Sequence, residues 1–312
     1  MKTLLLFLML LSVHFSQAQN FSGEVVYRIK IIPTNDSLNL QKLLQEKKGT
    51  SASYIIAKGN YKSTYYKNND PAYSYTYHDY TKKMYDDNIE EEYITYRDSR
   101  KSDTKYYDSK IYKDSTIKVL NYSCYLVKSS ADYGHTKTYY SEKIRVPFES
   151  FKGHQVGNWY NELKAVDGAI MLKSITTYKD YVEVQEAIKV TERKVAPDEF
   201  NLPQKLIVAS YSVLDQRVKL QEPTPQSIEC YRMNILKAPG PYGHTKKVNA
   251  IVSFILTVEG NIKFVKPYEK DEFGLYKIAV DIINNCGLKF TPGMINGKLV
   301  DSEVYFPVEF SL

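Results

Sequence analysis

The sequence predicts an α+β protein, built largely of antiparallel strands through its first two thirds and ending in a small βα unit. Three observations carry this. The chain of 312 residues holds 29 Tyr against 12 Phe and one Trp, and tyrosine suits a pleated surface with one apolar face and one wet end. Short strand-forming runs recur between Gly-Asn and Asn-Asp-Pro turn signals. Near the end, an apolar stripe at helical spacing follows a hairpin and precedes a long alternating strand.

Composition bounds the rest. With 43% hydrophobic and 25% charged residues the chain sits in the globular range, and at about 150 residues per domain it holds roughly two domains. The net charge of +6 is scattered, without the clustered basic stripe that nucleic-acid binding needs. Lys2, the apolar run Leu4 to Val13 and Ser16-Gln17-Ala18 read as a cleaved signal over residues 1–18. That run is about half the ~20 residues needed to span a bilayer. No cysteine follows it to take a lipid anchor, so the mature chain is expected to be exported, to the periplasm, an outer-membrane association or the medium.

Along the mature chain, Gly23 to Ile31 is strand-like. Asp36 or Ser37 can cap a short helix carrying Leu40, Leu43 and Leu44, which Gly49 ends. Ser53 to Ala57, Tyr61 to Tyr66, Tyr73 to Tyr80 and Lys83 to Asp86 then read as a meander. Further strands are expected at Thr116 to Leu120, Tyr122 to Ser129, Lys137 to Tyr140, Ala169 to Tyr178 and Val182 to Arg193. Residues 19–212 thus form a β-rich domain with one early helix.

Three local features in this region carry a family likeness. Gly23-Glu24-Val25-Val26-Tyr27 opens it, Val119-Leu120-Asn121-Tyr122-Ser123-Cys124 leads into Tyr139-Tyr140-Ser141-Glu142-Lys143-Ile144, and Phe200-Asn201-Leu202-Pro203 closes it. This pattern resembles the GLPGLI family of secreted Bacteroidetes proteins, with Val166 to Met171 standing where the family has its namesake motif. The resemblance implies a curved antiparallel sheet, similar to periplasmic lipoprotein carriers, and no established activity.

Residues 213–226, with Pro223-Thr224-Pro225, read as a linker to a last domain at 227–312. Ser227 to Leu236 is a short helical candidate. Val248 to Val258 alternates and turns at Glu259-Gly260-Asn261 into Ile262 to Val265, a hairpin. Leu275, Ile278, Ala279, Ile282, Ile283 and Cys286 then fall on one helical face, with Gly287 as the stop. After an Asn296-Gly297 turn, Val300 to Leu312 alternates again. Val304, Phe306, Val308 and Phe310 share one face, and Pro307 marks an edge strand or a bulge. The three cysteines, Cys124, Cys230 and Cys286, are no disulfide framework, and Cys230 with Cys286 is the one pair worth testing.

The order Val258-Glu259-Gly260-Asn261-Ile262, apolar helix, Phe290-Thr291-Pro292-Gly293, Asn296-Gly297-Lys298 and Val304-Tyr305-Phe306-Pro307-Val308-Glu309-Phe310 resembles the TonB C-terminal domain. That resemblance covers residues 225–312 and implies a small βα sandwich that accepts an extra strand at a sheet edge. It places partner binding on the last strand, at Ser302, Val304, Tyr305, Phe306, Val308 and Phe310. The expected partner is an envelope protein, a peptide or a second copy of the chain.

Nothing in the sequence names a reaction. His78, His135, His154 and His244 have no metal-ligand spacing, and no phosphate loop, G-x-S-x-G elbow or S-x-x-K set occurs. No catalytic residue, metal ligand or cofactor is therefore assigned. Two readings remain open, a non-enzymatic binding protein acting by strand addition at its C-terminal domain, and a carrier whose Tyr-rich curved sheet encloses an apolar ligand such as a lipid chain.

Overall fold

The computed structural model describes residues 20–35, 49–102, 104–238, 247–268 and 274–311. The signal sequence and the early helix of the sequence reading lie outside them. Mostly β-sheet with few helices, the chain divides into two compact units, residues up to Lys83 with Ser99–Leu202, and Met84–Asp98 with Pro203–Leu312.

The strands of the first part follow in chain order as β1 (Gly23–Pro33), β2 (Ser51–Ala57), β3 (Asn60–Lys67), β4 (Asp70–His78), β5 (Lys83–Asn88), β6 (Tyr93–Asp98), β7 (Tyr106–Val119), β8 (Tyr122–Ala131), β9 (Gly134–Arg145), β10 (Ala169–Thr177) and β11 (Tyr181–Glu192). In the N-terminal unit β1 is central, paired antiparallel to β2 on one side and β11 on the other. The order β4-β3-β2-β1-β11-β10-β9-β8-β7 makes one curved sheet. On β1 the odd-numbered Val25, Tyr27, Ile29 and Ile31 are buried while Arg28 and Lys30 are exposed, the period of two that a one-sided sheet requires. The edge strand β7 is mostly exposed. With no buried face to impose alternation, its first half gave no sequence signal, and only Thr116 onward was legible.

A short helix, α1 (Trp159–Ala165), packs on this sheet. Its Leu163 joins Phe151 in the buried cluster built around Val25, Tyr27, Tyr77 and Leu172, while Val166, just after it, packs with Tyr125, Val127, Tyr140 and Ala169. The sequence reading has no helix here, because a helix of 7 residues is shorter than the window over which helical periodicity can be seen.

The C-terminal unit adds β12 (Leu206–Ala209), β13 (Lys219–Leu220), α2 (Pro225–Ile235), β14 (Lys247–Leu256), β15 (Ile262–Pro267), α3 (Tyr276–Asn285), β16 (Phe290–Thr291), β17 (Met294–Ile295), β18 (Lys298–Leu299) and β19 (Ser302–Ser311). The predicted hairpin is β14 and β15, and the predicted helical stripe is α3. Its Leu275, Ala279, Ile282, Ile283 and Cys286 pack on Val252, Phe254, Val308 and Phe310. Asn296 and Gly297, both at positive φ, turn β17 into β18 as such a dipeptide should.

Two features differ from the sequence reading. The stretch read as a linker contains β13, which pairs with β16. In addition, β12 lies parallel to β6, Leu206 beside Tyr93 and Ala209 beside Tyr96, so residues 84–98 belong with the C-terminal unit. A parallel pairing across more than a hundred residues leaves no local trace in sequence. The buried ion pair Lys205–Asp87 at 2.8 Å closes the same junction, with the ammonium also donating to the carbonyls of Asn88 and Ile89.

Candidate functional site

The N-terminal unit holds a partly open cavity of about 240 Å³ between α1 and the inner faces of β1, β2, β9, β10 and β11. A cavity of ~150 Å³ can hold benzene, so this one has room for a small organic molecule. Val25, Ile56, Leu163 and Ile170 supply apolar wall, and Tyr27, Tyr54, Tyr106, Tyr133, Tyr140 and Trp159 supply rings. Tyrosine spacing on the strands explains the lining. Odd positions of β1 and even positions of β2 and β9 face inward, so each strand sends alternate residues to the same space.

Helix α1 covers the cavity. Gly157 and Asn158 precede it with φ of 62° and 57°, a left-handed pair that swings the chain so that Trp159 enters the helix facing inward. A Cβ on Gly157 would find only the Tyr106 hydroxyl, at 3.9 Å, so the glycine serves the backbone conformation and not clearance. Trp159, Glu162, Leu163 and Val166 follow at i, i+3, i+4 and i+7, one face of the helix. Behind Trp159 stands a stack of rings. His154 lies 5.9 Å from it, Tyr77 lies 4.5 Å from His154, and Tyr61 lies 5.3 Å from His154 and meets its Nε2 through the phenol at 2.8 Å.

Three polar groups at the cavity are left for a guest. Trp159 Nε1–H and the Gln185 Nε2 amide are buried without a hydrogen-bond partner. Among the described residues Glu162 is the one acidic side chain of the lining, and no Lys, Arg, His or Asp joins it. Burial alone pushes its carboxyl up to about 7, since no cation offsets the desolvation. The surrounding phenols of Tyr27, Tyr106, Tyr133 and Tyr140 are raised by burial and stay neutral. Other polar groups are already engaged: the Tyr27 hydroxyl donates to the Met171 carbonyl at 2.7 Å, and the Thr136 and Thr176 hydroxyls meet at 3.2 Å.

The residues assigned to partner binding from sequence all lie on β19 in the C-terminal unit. Ser302, Val304, Val308 and Phe310 are buried, so their side chains face the core and only main chain could meet an added strand. β19 pairs with β14 along its whole length and with β12 only at Ser302. The Ala209 N–H donates to the Asp301 carbonyl, and the Tyr268 N–H to the Ile251 carbonyl. Residues 303, 305, 307 and 309 therefore turn their peptide groups away from β14. Pro307 puts a missing N–H on that side, and the Tyr231 hydroxyl donates to the Glu309 carbonyl at 3.5 Å. Elsewhere, Cys230 and Cys286 are joined as a disulfide, with Cα atoms 5.3 Å apart. Cys124 is a buried thiol that burial raises. Among the described residues no cluster of His, Cys, Asp and Glu could hold a metal, and no helix is long and apolar enough to cross a membrane.

No family model matches the chain, and no curated protein matches it. Among solved structures it is similar to PNGF-II in two crystal forms, each at 13% identity and TM-score 0.37. The chain spans 42% of PNGF-II in one of these alignments and 62% in the other, covering 75% and 93% of its own length. It is also similar to the Mycobacterium tuberculosis lipoprotein LppX, at 9% identity and TM-score 0.26 over 56% of this chain and 89% of that one. A further likeness, at 7% identity and TM-score 0.27, is to the Pseudomonas aeruginosa MucA/MucB complex, over 80% of this chain and 85% of that one. None of these likenesses carries a functional assignment.

Proposed function

We propose that the protein is an exported, non-enzymatic binding protein whose N-terminal unit holds a small, largely apolar ligand in the cavity under α1. The cavity itself carries this reading. Native interiors are close-packed, and a recess of about 240 Å³ that opens to solvent leaves apolar wall and rings uncovered, surface that a bound molecule would take out of water. Buried donors left unpaired at Trp159 and Gln185 add a second cost that a guest with an acceptor would offset. The volume lies just below the ~300–1,000 Å³ usual for ligand pockets, which fits one ring or a short chain better than a two-chain lipid.

Native mass spectrometry of the mature protein, gently purified from an exporting host, tests this. A ligand-sized mass excess in the wild type that is lost in Ser174→Phe, which fills the cavity from β10, supports the reading. Identical, unliganded masses for both, with no ligand recovered on extraction, would contradict it.

Strand addition at β19 is a second reading, favoured by the unpaired stretch after Ser302. The bridge of Ala209 to Ser302 takes up the Glu303 N–H, so Pro307 and Tyr231 confine it to the main chain around Tyr305, too short a ladder to hold a partner alone. A pull-down from solubilised envelope with the full chain and with a Tyr305→Pro variant tests it, since a proline there removes the donor that faces away from β14. Loss of a partner from the variant would support this reading, and an unchanged set of partners would end it.

A further inference from the structure

Resting on the cavity reading, the geometry points to a ligand class: the cavity under α1 takes a small organic cation, an ammonium-bearing molecule with a hydrogen-bond acceptor. The electrostatic argument begins with what surrounds the space. Six aromatic rings, those of Tyr27, Tyr54, Tyr106, Tyr133, Tyr140 and Trp159, border it, and their faces carry the negative lobe of the ring quadrupole. Such walls favour a cation within ~6 Å of a ring centroid, and more strongly where water is excluded. Among the described residues, the one ionisable group facing the space with a charge available near neutral pH is the Glu162 carboxyl, and no Lys, Arg or His lines the cavity to receive an anion.

A carboxylate placed against apolar wall and uncharged phenols has no reason to be there in a site made for a neutral apolar molecule, where Leu or Gln would cost less. An anionic guest would meet it as a like charge. An ammonium instead supplies the missing counter-charge, and its N–H groups complete the carboxylate's hydrogen bonds. The two buried donors without partners, Trp159 Nε1–H and Gln185 Nε2, call for an acceptor on the same guest, a hydroxyl, ether or carbonyl oxygen. Gln185 is 8% exposed and sits on β11, whereas Glu162 is on α1, so the guest spans from helix to sheet.

Protonation couples to this. The titratable groups facing Glu162 are the phenols of Tyr106 on β7, Tyr133 in the β8–β9 turn and Tyr140 on β9, all neutral across the accessible range. Glu162 is then the switch, and a bound ammonium should draw its proton off. Cation affinity should fall as pH drops below about 7.

The test uses the mature protein and three one-ring probes of similar size, benzylammonium, benzyl alcohol and benzoate, by isothermal titration calorimetry at pH 8 and pH 5.5. The expected order is benzylammonium tightest, by about 10-fold to 100-fold over benzyl alcohol at pH 8, with benzoate weakest and the preference shrinking at pH 5.5. In Glu162→Gln, an isosteric change checked for folding by circular dichroism, that preference should collapse toward one. Benzyl alcohol binding as tightly as benzylammonium at pH 8, or a cation preference that survives Glu162→Gln, overturns the charge assignment and leaves the cavity reading standing. No binding by any probe overturns both.

Discussion

Trp159 and Glu162 stand one helical turn apart on α1 and bring a buried indole N–H without a partner and a desolvated carboxyl to the wall of one cavity. The pair sets the first expectation. A folded-state carboxyl raised from its ordinary 4.5 to about 7 keeps its proton in the folded protein where the unfolded chain has lost it. Folding stability from this group is therefore highest below pH 4.5 and falls as pH rises to 7, by up to about 3 kcal/mol. Urea unfolding at pH 5 and pH 9 should show Glu162→Gln losing less stability than the wild type between the two. Equal losses would mean the carboxyl is not desolvated.

Tyr61→Phe should destabilise the N-terminal unit by about 1–3 kcal/mol. It leaves the ring of buried His154 without the phenol that meets its Nε2, and a buried polar atom deprived of its partner keeps its desolvation cost. Because His154 stacks behind Trp159, the tryptophan emission should shift as well. Thermal melts and emission spectra check both.

Much of the framework was readable in the chain, because most of its strands bury one face and so alternate. β1, β2, β14 and β19 were placed to within a few residues, as was the stripe of α3, whose apolar residues all serve one core. The cavity was not readable. Trp159 and Glu162 lie on a helix too short to show a period, behind a Gly157-Asn158 turn with nothing proline-like to announce it. The tyrosines that line the space come from strands far apart in sequence, each unremarkable as one more half-buried aromatic. Gln185 looks like any polar residue on β11 until the sheet sets it beside α1. The tyrosine excess did foretell a wet, aromatic sheet face, though not its closure.

Reduction of the Cys230–Cys286 bond should cost about 2–4 kcal/mol, since it frees a loop of 56 residues in the unfolded chain. It ties α2 to the end of α3, so the loss should fall on the C-terminal unit. Denaturant unfolding with and without reductant, alongside a Cys230→Ala/Cys286→Ala variant, measures it. Cys124→Ala, which removes a thiol that is not part of the bond, should leave the reductant effect intact.

Pro307→Val should make the chain self-associate. The substitution restores an N–H on the side of β19 that β14 does not cover, and an open edge with regular donors is a template for another strand. Analytical ultracentrifugation over a range of concentrations should show larger species for the variant than for the wild type.

The most direct test of the account is a titration of intrinsic fluorescence, because the chain's single tryptophan is Trp159 at the cavity wall. Benzylammonium added to the mature protein at pH 8 should give a saturable change in emission, weakened at least tenfold in Ser174→Phe. A response that never saturates, or one that Ser174→Phe leaves untouched, would contradict a ligand site under α1.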